Sequence, residues 1–367
     1  MNIAYILPSL VKEGPGIVVY ELIKQMISRG NYCCVFYFDS KSKNLIDFPC
    51  ETKNISFFGK IDFSIFDVVH SNCMRPDMWV FFHKPLRKTK TLFITTLHDI
   101  VEDNLRYQYG KFVSFIASRV WMTMCKRHDF HVVLTKIAKK YYSKWFNEKS
   151  LKVIYNSRTL ENKQLSEDEK AEILRFKGSS KLLGMNCLLT ARKGVDLAIK
   201  ALKFLPDIKL FIAGNGQEIE NLKELAKEEK VSDRVYFAGY KEDAYRYLPY
   251  YDVYLMPSRS EGFGLAMIEA VAAKVPVVLS DIDIFKEIFS ANEVCFFYSE
   301  NPNSLAKAAQ EALNTNKTDK AYNRYINQYS IESFGEKYMK LYNSKINGGG
   351  YKSVGKIYAE LHLEVAA

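Results

Sequence analysis

Residues 257–270 read Pro-Ser-Arg-Ser-Glu-Gly-Phe-Gly-Leu-Ala-Met-Ile-Glu-Ala, directly after the apolar run Val253 to Met256. The apolar run predicts a buried strand, and the two glycines a turn. The stretch from Gly264 predicts a helix. Glu261 stands before the turn, and Glu269 follows it by eight residues. At a rise of ~1.5 Å per helical residue the two carboxylates lie up to ~12 Å apart. That is too far for a pair flanking one reacting bond, but it suits the two ends of one elongated ligand. Between them lies a helix start with free N–H groups, a site for an anion such as a diphosphate. Carboxylates accept hydrogen bonds from hydroxyls. The physical reading is therefore sugar, diphosphate and ribose laid across one helix start.

Apolar runs that predict buried parallel strands recur on both sides of this segment. On the N-terminal side they are Ile3 to Pro8, Val35 to Phe38, Val68 to Val69, Leu92 to Thr96 and Phe130 to Leu134. After a polar bridge come Leu182 to Leu183, Ile208 to Ala213, Val235 to Phe237 and Val275 to Leu279. Helical spacing fills the intervals, as in Val18, Val19, Leu22, Ile23, Met26 and Ile27, which end at Gly30. Ser166-Glu167-Asp168-Glu169 is a capping-box pattern. Alternating strands and helices imply parallel sheets with helices on both faces. Two doubly wound domains facing across a cleft, with ligands at the carboxyl ends of the strands, is the simplest architecture.

The pattern Glu-x7-Glu, followed by Lys274-Val-Pro-Val-Val-Leu-Ser-Asp, resembles the retaining glycosyltransferases of family 4, which have the GT-B fold. Other segments agree in order and spacing. Gly14-Pro15-Gly16 resembles the N-terminal glycine loop, and Leu97-His98-Asp99 the His-bearing segment. Arg192-Lys193-Gly194 resembles the basic phosphate segment, and Ala213-Gly214-Asn215-Gly216 the glycine strand end. Ser330 to Tyr342 is similar to a last helix that returns to the first domain. The resemblance implies an α/β, GT-B chain of two Rossmann-like domains. It implies an acceptor-side domain at 1–160, a nucleotide-sugar domain at 161–330, a returning helix at 331–345 and a tail at 346–367.

The resemblance also assigns roles. Glu269 holds the ribose hydroxyls and Glu261 those of the transferred sugar. Backbone N–H groups of Gly262, Phe263, Gly264 and Leu265 meet phosphate and sugar. Lys193, with Arg192, neutralises the diphosphate. His98 contacts the sugar from the other domain, and Gly16 brings backbone close to the donor phosphate. Gly214 lies at the glycine strand end, and Tyr240 sits where the base is contacted. The implied activity is metal-independent retaining transfer from a UDP- or GDP-sugar to a hydroxyl acceptor, a lipid-linked glycan in bacterial surface-polysaccharide assembly. Neither a cofactor nor a metal is expected. Several features depart from the family pattern: Gly14-Pro15-Gly16 replaces a commoner Gly-Gly, and Asn156-Ser157 the usual Asn-Gly. Leu188 stands where many members carry an Arg, and Arg192 is adjacent to Lys193. Adjacent residues on a turn point different ways, so these two are not expected to converge.

The chain has 367 residues, about half of them apolar and a quarter charged, which excludes disorder and coiled coil. Its net charge is +10. Residues 1–158 hold 24 Lys+Arg and 13 Asp+Glu, whereas residues 159–367 hold 28 and 29. The excess therefore lies in the acceptor-side half. Two clusters there mix aromatics with bases: Trp79 to Lys90, and Trp121 to Arg127. Such mixing suits an anionic membrane surface. The run Phe112 to Cys125 is interrupted by Arg119, so it is not a span. The N-terminus lacks a basic signal-peptide region. Seven cysteines without paired spacing read as buried free thiols. Together these lead to the expectation of a cytoplasmic protein, peripheral on the membrane's cytoplasmic face.

His70 is open between a functional and a structural role, whereas His83, His128, His131 and His362 read as surface or core histidines, and Asp281-x-Asp283 as a loop and helix cap. A nucleotide-sugar epimerase or a phosphorylase of the same two-domain form is the alternative enzyme. A basic nucleic-acid-binding protein is the alternative outside enzymes. No nucleic-acid-binding module is recognisable, and no nucleic-acid partner is expected.

Overall fold

A computed structural model describes residues 1–40 and 45–344. The tail expected at 346–367, with His362, lies outside the described residues. The chain divides into two compact units. One joins residues 1–157 to the segment that begins at Ile331, and the other is Arg158–Ser330.

The first unit is built on strands β1 (Asn2–Ser9), β2 (Tyr32–Asp39), β3 (Glu51–Asn54), β4 (Val68–Asn72), β5 (Leu92–Leu97), β6 (Phe130–Val133) and β7 (Leu151–Val153). Their order is β3-β2-β1-β4-β5-β6-β7, with every pairing parallel. Helices α1 (Gly14–Ser28), α2 (Met74–His83), α3 (Val101–Cys125) and α4 (Lys136–Tyr142) connect them. β1 and β5 sit inside the sheet and are mainly apolar, with Thr95 and Thr96 the polar residues of β5, because both faces are covered. β3, with the sequence Glu-Thr-Lys-Asn, is a mostly exposed edge strand.

The second unit holds α5 (Glu167–Lys177), α6 (Val195–Ala201), α7 (Ile219–Glu228), α8 (Leu265–Ala272), α9 (Asp283–Ile288), α10 (Pro302–Asn314) and α11 (Thr318–Arg324). Its strands are β8 (Lys181–Asn186), β9 (Ile208–Ala213), β10 (Val235–Gly239), β11 (Val253–Met256), β12 (Val277–Ser280) and β13 (Cys295–Phe297). Their order is β10-β9-β8-β11-β12-β13, again all parallel. The capping box forms at the start of α5 as the sequence predicts, with Ser166 and Glu169 each bonding the other's backbone N–H. Each unit is thus a Rossmann-like parallel sheet with its connecting helices, the pair that the resemblance implies.

Helix α12 (Ile331–Asn343) belongs to the first unit. Its Tyr342 hydroxyl lies 2.7 Å from His70 Nδ1, and the Tyr338 hydroxyl lies 3.2 Å from Thr96 Oγ1. His70 is thus a core histidine, pushed down to about 3 by burial and by the neighbouring His98.

Two expectations need correction. Gly14-Pro15-Gly16 is not a loop: it is the first turn of α1, where proline's fixed φ fits the helix. The aromatic–basic clusters are only partly surface. Trp79 and Met122 are fully buried, and Trp121 Nε1 donates to the buried Asp77. All seven cysteines are free thiols. Among the described residues no helix is long and apolar enough to cross a membrane.

Candidate active site

In the second sheet the strand order reverses between β8 and β11. Loops leaving the carboxyl ends of those two strands flank a topological switch point, where open α/β sheets bind ligands. The loop after β8 carries Arg192 and Lys193, and the loop after β11 carries Glu261.

These three side chains meet. Glu261 is only 6% exposed. Lys193 Nζ lies 2.5 Å from its Oε1, and Ser258 Oγ donates to the same oxygen at 2.8 Å. Arg192 Nη1 lies 3.8 Å from Oε2. Burial pushes the Glu261 carboxyl up. The Lys193 and Arg192 charges, with the hydrogen bonds from Lys193 and Ser258, outweigh that push and hold it below the usual carboxylate range. Arg192 and Lys193 therefore converge, contrary to expectation. They lie on one tight turn, Ala191–Lys193, and their long stems reach the two oxygens of one carboxylate.

Gly194 makes this approach possible. Its φ is +66°, and a Cβ there would stand 2.0 Å from the Pro257 carbonyl oxygen. Arg259 then ties the two loops together. Its backbone N–H donates to Arg192 O at 2.8 Å, and its guanidinium grips both oxygens of Asp196 at 2.8 and 2.9 Å. No local pattern pairs Arg259 with Asp196, whose positions lie 63 residues apart.

Glu269 has a cation of its own. It is 8% exposed, and Arg158 Nε stands 2.9 Å from its Oε1. Arg158 Nη2 is 3.6 Å from Asp243, and the guanidinium lies over the Tyr245 ring. Arg158 begins the second unit, just ahead of the division expected at 160/161. These contacts explain why: they bind it to residues of that unit. The two glutamates are thus separately neutralised, not a shared pair.

Helix α8 starts between them. Gly264, at φ +96°, precedes it with no capping side chain. The Met267 and Ile268 N–H groups bond the Gly264 carbonyl. Leu265 and Ala266 occupy the positions whose N–H groups have no acceptor inside a helix. Gly262 and Gly264 are buried in this loop. The Phe263 ring is also buried, against Tyr329.

A family model described as "Glycosyl transferases group 1" matches residues 166–329. The O-antigen biosynthesis glycosyltransferase WclY of Escherichia coli is 32% identical, over 94% of this chain and 98% of its own. The chain belongs to the group 1 glycosyltransferases. Solved structures share its fold. Sucrose-phosphate synthase from Thermosynechococcus elongatus aligns with a TM-score of 0.79 at 18% identity, over 95% of this chain and 100% of its own. Anabaena HepE, solved in complex with UDP and glucose, aligns with a TM-score of 0.78 at 14% identity, over 93% and 99%.

Other expected residues of this glycosyltransferase sit at the same carboxyl edge. Gly214 follows β9, and a Cβ there would lie 1.8 Å from Cys187 O; at Gly216 it would lie 2.3 Å from Leu189 O. Both glycines therefore brace the segment that leads to Arg192. Tyr240 follows β10 and is about half exposed.

Gly16 and His98 belong to the first unit. A Cβ on Gly16 would meet Val11 O at 2.6 Å. His98 follows β5, and its Nε2 lies 3.0 Å from Asn72 Oδ1. That oxygen only accepts, so Nε2 carries the hydrogen and Nδ1 keeps its lone pair. Burial pushes His98 down to about 4. At neutral pH its ring is uncharged.

Among the described residues, Asp77, Cys125 and His128 form one cluster with metal-ligand chemistry. All three lie in the core of the first unit. Asp77 accepts from Ser71, Trp121 and Cys125, and His128 bonds Cys125 O and Ser71. Protein bonds already occupy this cluster. Asp281 accepts from the Ser299 N–H and hydroxyl, a loop role, and Asp283 is the first residue of α9.

Proposed function

We propose that this enzyme transfers a sugar from a nucleotide-sugar donor, a UDP- or GDP-sugar, to a hydroxyl of a lipid-linked glycan, with retention of anomeric configuration. The convergence of Lys193, Arg192 and Glu261 at the switch point beside the uncapped start of α8 carries this reading. The WclY relatives' role in O-antigen biosynthesis supports surface polysaccharide as the product, built on the cytoplasmic face of the membrane. The UDP complex of HepE supports UDP as the carrier.

Each residue has a task in this reading. Lys193 and Arg192, with the first N–H groups of α8, neutralise the diphosphate as it leaves. Glu261 accepts from hydroxyls of the transferred sugar, and Glu269 from the ribose. The backbone of Gly262, Phe263, Gly264 and Leu265 lies along phosphate and sugar. Gly16 and Gly214, whose missing side chains make room for Val11 O and Cys187 O, hold the backbone beside the donor in place, Tyr240 meets the base, and neutral His98 accepts from a sugar hydroxyl. In the transfer, the bond from the anomeric carbon to the phosphate oxygen breaks, and its electron pair leaves with the diphosphate. The acceptor oxygen bonds the same face of the sugar, and its proton passes to the leaving phosphate. The charge of the leaving group is met by Lys193, Arg192 and the helix start, so no metal is assigned.

Thermal melting with UDP, GDP, ADP and their sugars, with and without a chelator, tests the donor. One nucleotide series should raise the midpoint equally in both conditions. No rise with any nucleotide refutes the reading. Transfer assays with nuclear magnetic resonance should show the product with the donor's anomeric configuration. Glu261→Ala and Lys193→Ala should each cut transfer strongly, and full activity in both refutes their roles.

A further inference from the structure

Helix α3 is broken at Gly110, where φ is 80° and ψ 173°. The limb after the break is amphipathic in reverse. Ser114, Ser118, Met122 and Cys125 are buried, and the Ser114 hydroxyl donates to Glu102 O. Its outer face carries Phe112, Val113, Phe115, Ile116 and Val120, with Phe112 77% exposed and Phe115 53%. Small hydroxyl side chains thus face the protein, and large apolar ones face outward. Tyr107 and Tyr109, before the break, are exposed as well. A row of large exposed apolar side chains along one helix face marks a docking surface.

Charge selects the occupant. From Asn104 to His128 there is no Asp or Glu, while Arg106, Lys111, Arg119, Lys126 and Arg127 are all present. Arg119 lies over the Phe115 ring and pairs with Glu102; Arg106 and Lys111 are exposed. A second copy docked about a two-fold axis would oppose these like charges. An anionic bilayer satisfies both features: its headgroups meet the bases, and its acyl boundary takes the phenylalanines. We infer that the outer face of the limb Lys111–Cys125 is an interfacial helix that docks this enzyme on anionic lipid. The inference stands independently of the sugar-transfer reading.

Flotation of the full chain with vesicles tests it. The protein should float with vesicles of 70% phosphatidylcholine and 30% phosphatidylglycerol in low salt, and remain at the bottom with pure phosphatidylcholine. Phe112→Glu/Phe115→Glu should lower partitioning at least about tenfold with an unchanged melting midpoint, because both rings are exposed. Lys111→Gln should lower it about fivefold. No flotation on the anionic vesicles overturns the inference. Equal flotation of the double variant also overturns it, as does a wild-type dimer that the double variant dissociates.

Discussion

Replacing Lys193 with methionine keeps the stem and removes the charge from the site's centre. Glu261, 6% exposed, would then keep only Arg192 at 3.8 Å and one bond from Ser258. At an effective dielectric constant of about 20, opposite charges this close attract by roughly 6 kcal/mol before desolvation. Breaking a buried pair by removing one partner costs about 3–5 kcal/mol. The remaining contacts put this case at the low end, about 3 kcal/mol at neutral pH. The sign with pH follows from Glu261, whose folded-state pKa lies below its unfolded value. The pair's stabilisation is complete above the unfolded carboxylate pKa and disappears as pH falls through the folded one. The cost of Lys193→Met should therefore shrink in acid. Glu261→Gln should relieve most of it, giving a double-mutant coupling near 2–3 kcal/mol. Denaturant unfolding of the four proteins at pH 7 measures this, read from the transition of the unit 158–330. Calorimetry should show nucleoside-diphosphate affinity down about 10- to 100-fold, the worth of one charge-assisted hydrogen bond. A Lys193→Met protein within about 0.5 kcal/mol of wild type, or equally destabilised in the Glu261→Gln background, refutes the reasoning.

Two further predictions concern the frame. Gly194→Ala sets a methyl against Pro257 O at a left-handed φ, so it should cost at least about 2 kcal/mol and abolish nucleotide binding. Gly14→Ala meets nothing within 4 Å and should be neutral; equal melting midpoints for the two variants would contradict the packing. Acid should weaken the first unit. Burial pushes His70 down to about 3, His131 to about 4 and His128 well below its ordinary value. Below pH ~6.5 the unfolded chain takes up protons that these folded histidines refuse, so stability falls as pH drops. At pH 5 that amounts to about 2 kcal/mol per histidine. Asp77, pushed up to about 6 by burial, returns roughly 1 kcal/mol. Melting at pH 7.5 and 5.0 should show the first unit's midpoint lower in acid, and an unchanged midpoint would count against these assignments.

Legibility in the sequence tracked burial. β1, β5 and β11 were readable because strands covered on both faces are mainly apolar. β3 was not, because a short polar edge strand looks like a loop; β7 and β13, three residues each, are too short for periodicity to register. Glu261 and Lys193 stood out by their glycine surroundings. Arg158 did not, since its partner Glu269 is more than a hundred residues away. The run Phe112 to Cys125 reads only as an apolar stretch interrupted by Arg119. Only its burial pattern, with serines inward and phenylalanines outward, shows which side faces the protein.

The return of α12 to the first unit reverses the order in which the chain can be finished. On the ribosome the first sheet emerges first, yet His70 must wait for Tyr342 to bond its Nδ1, and Thr96 for Tyr338. The second unit, unbroken from Arg158 to Ser330, is free to close while its predecessor is still open along one side. The half made first is therefore completed last. Until about 270 further residues follow His70 out of the ribosome, the side chains that those two tyrosines cover in the folded chain are without their partners, the kind of exposure that invites aggregation.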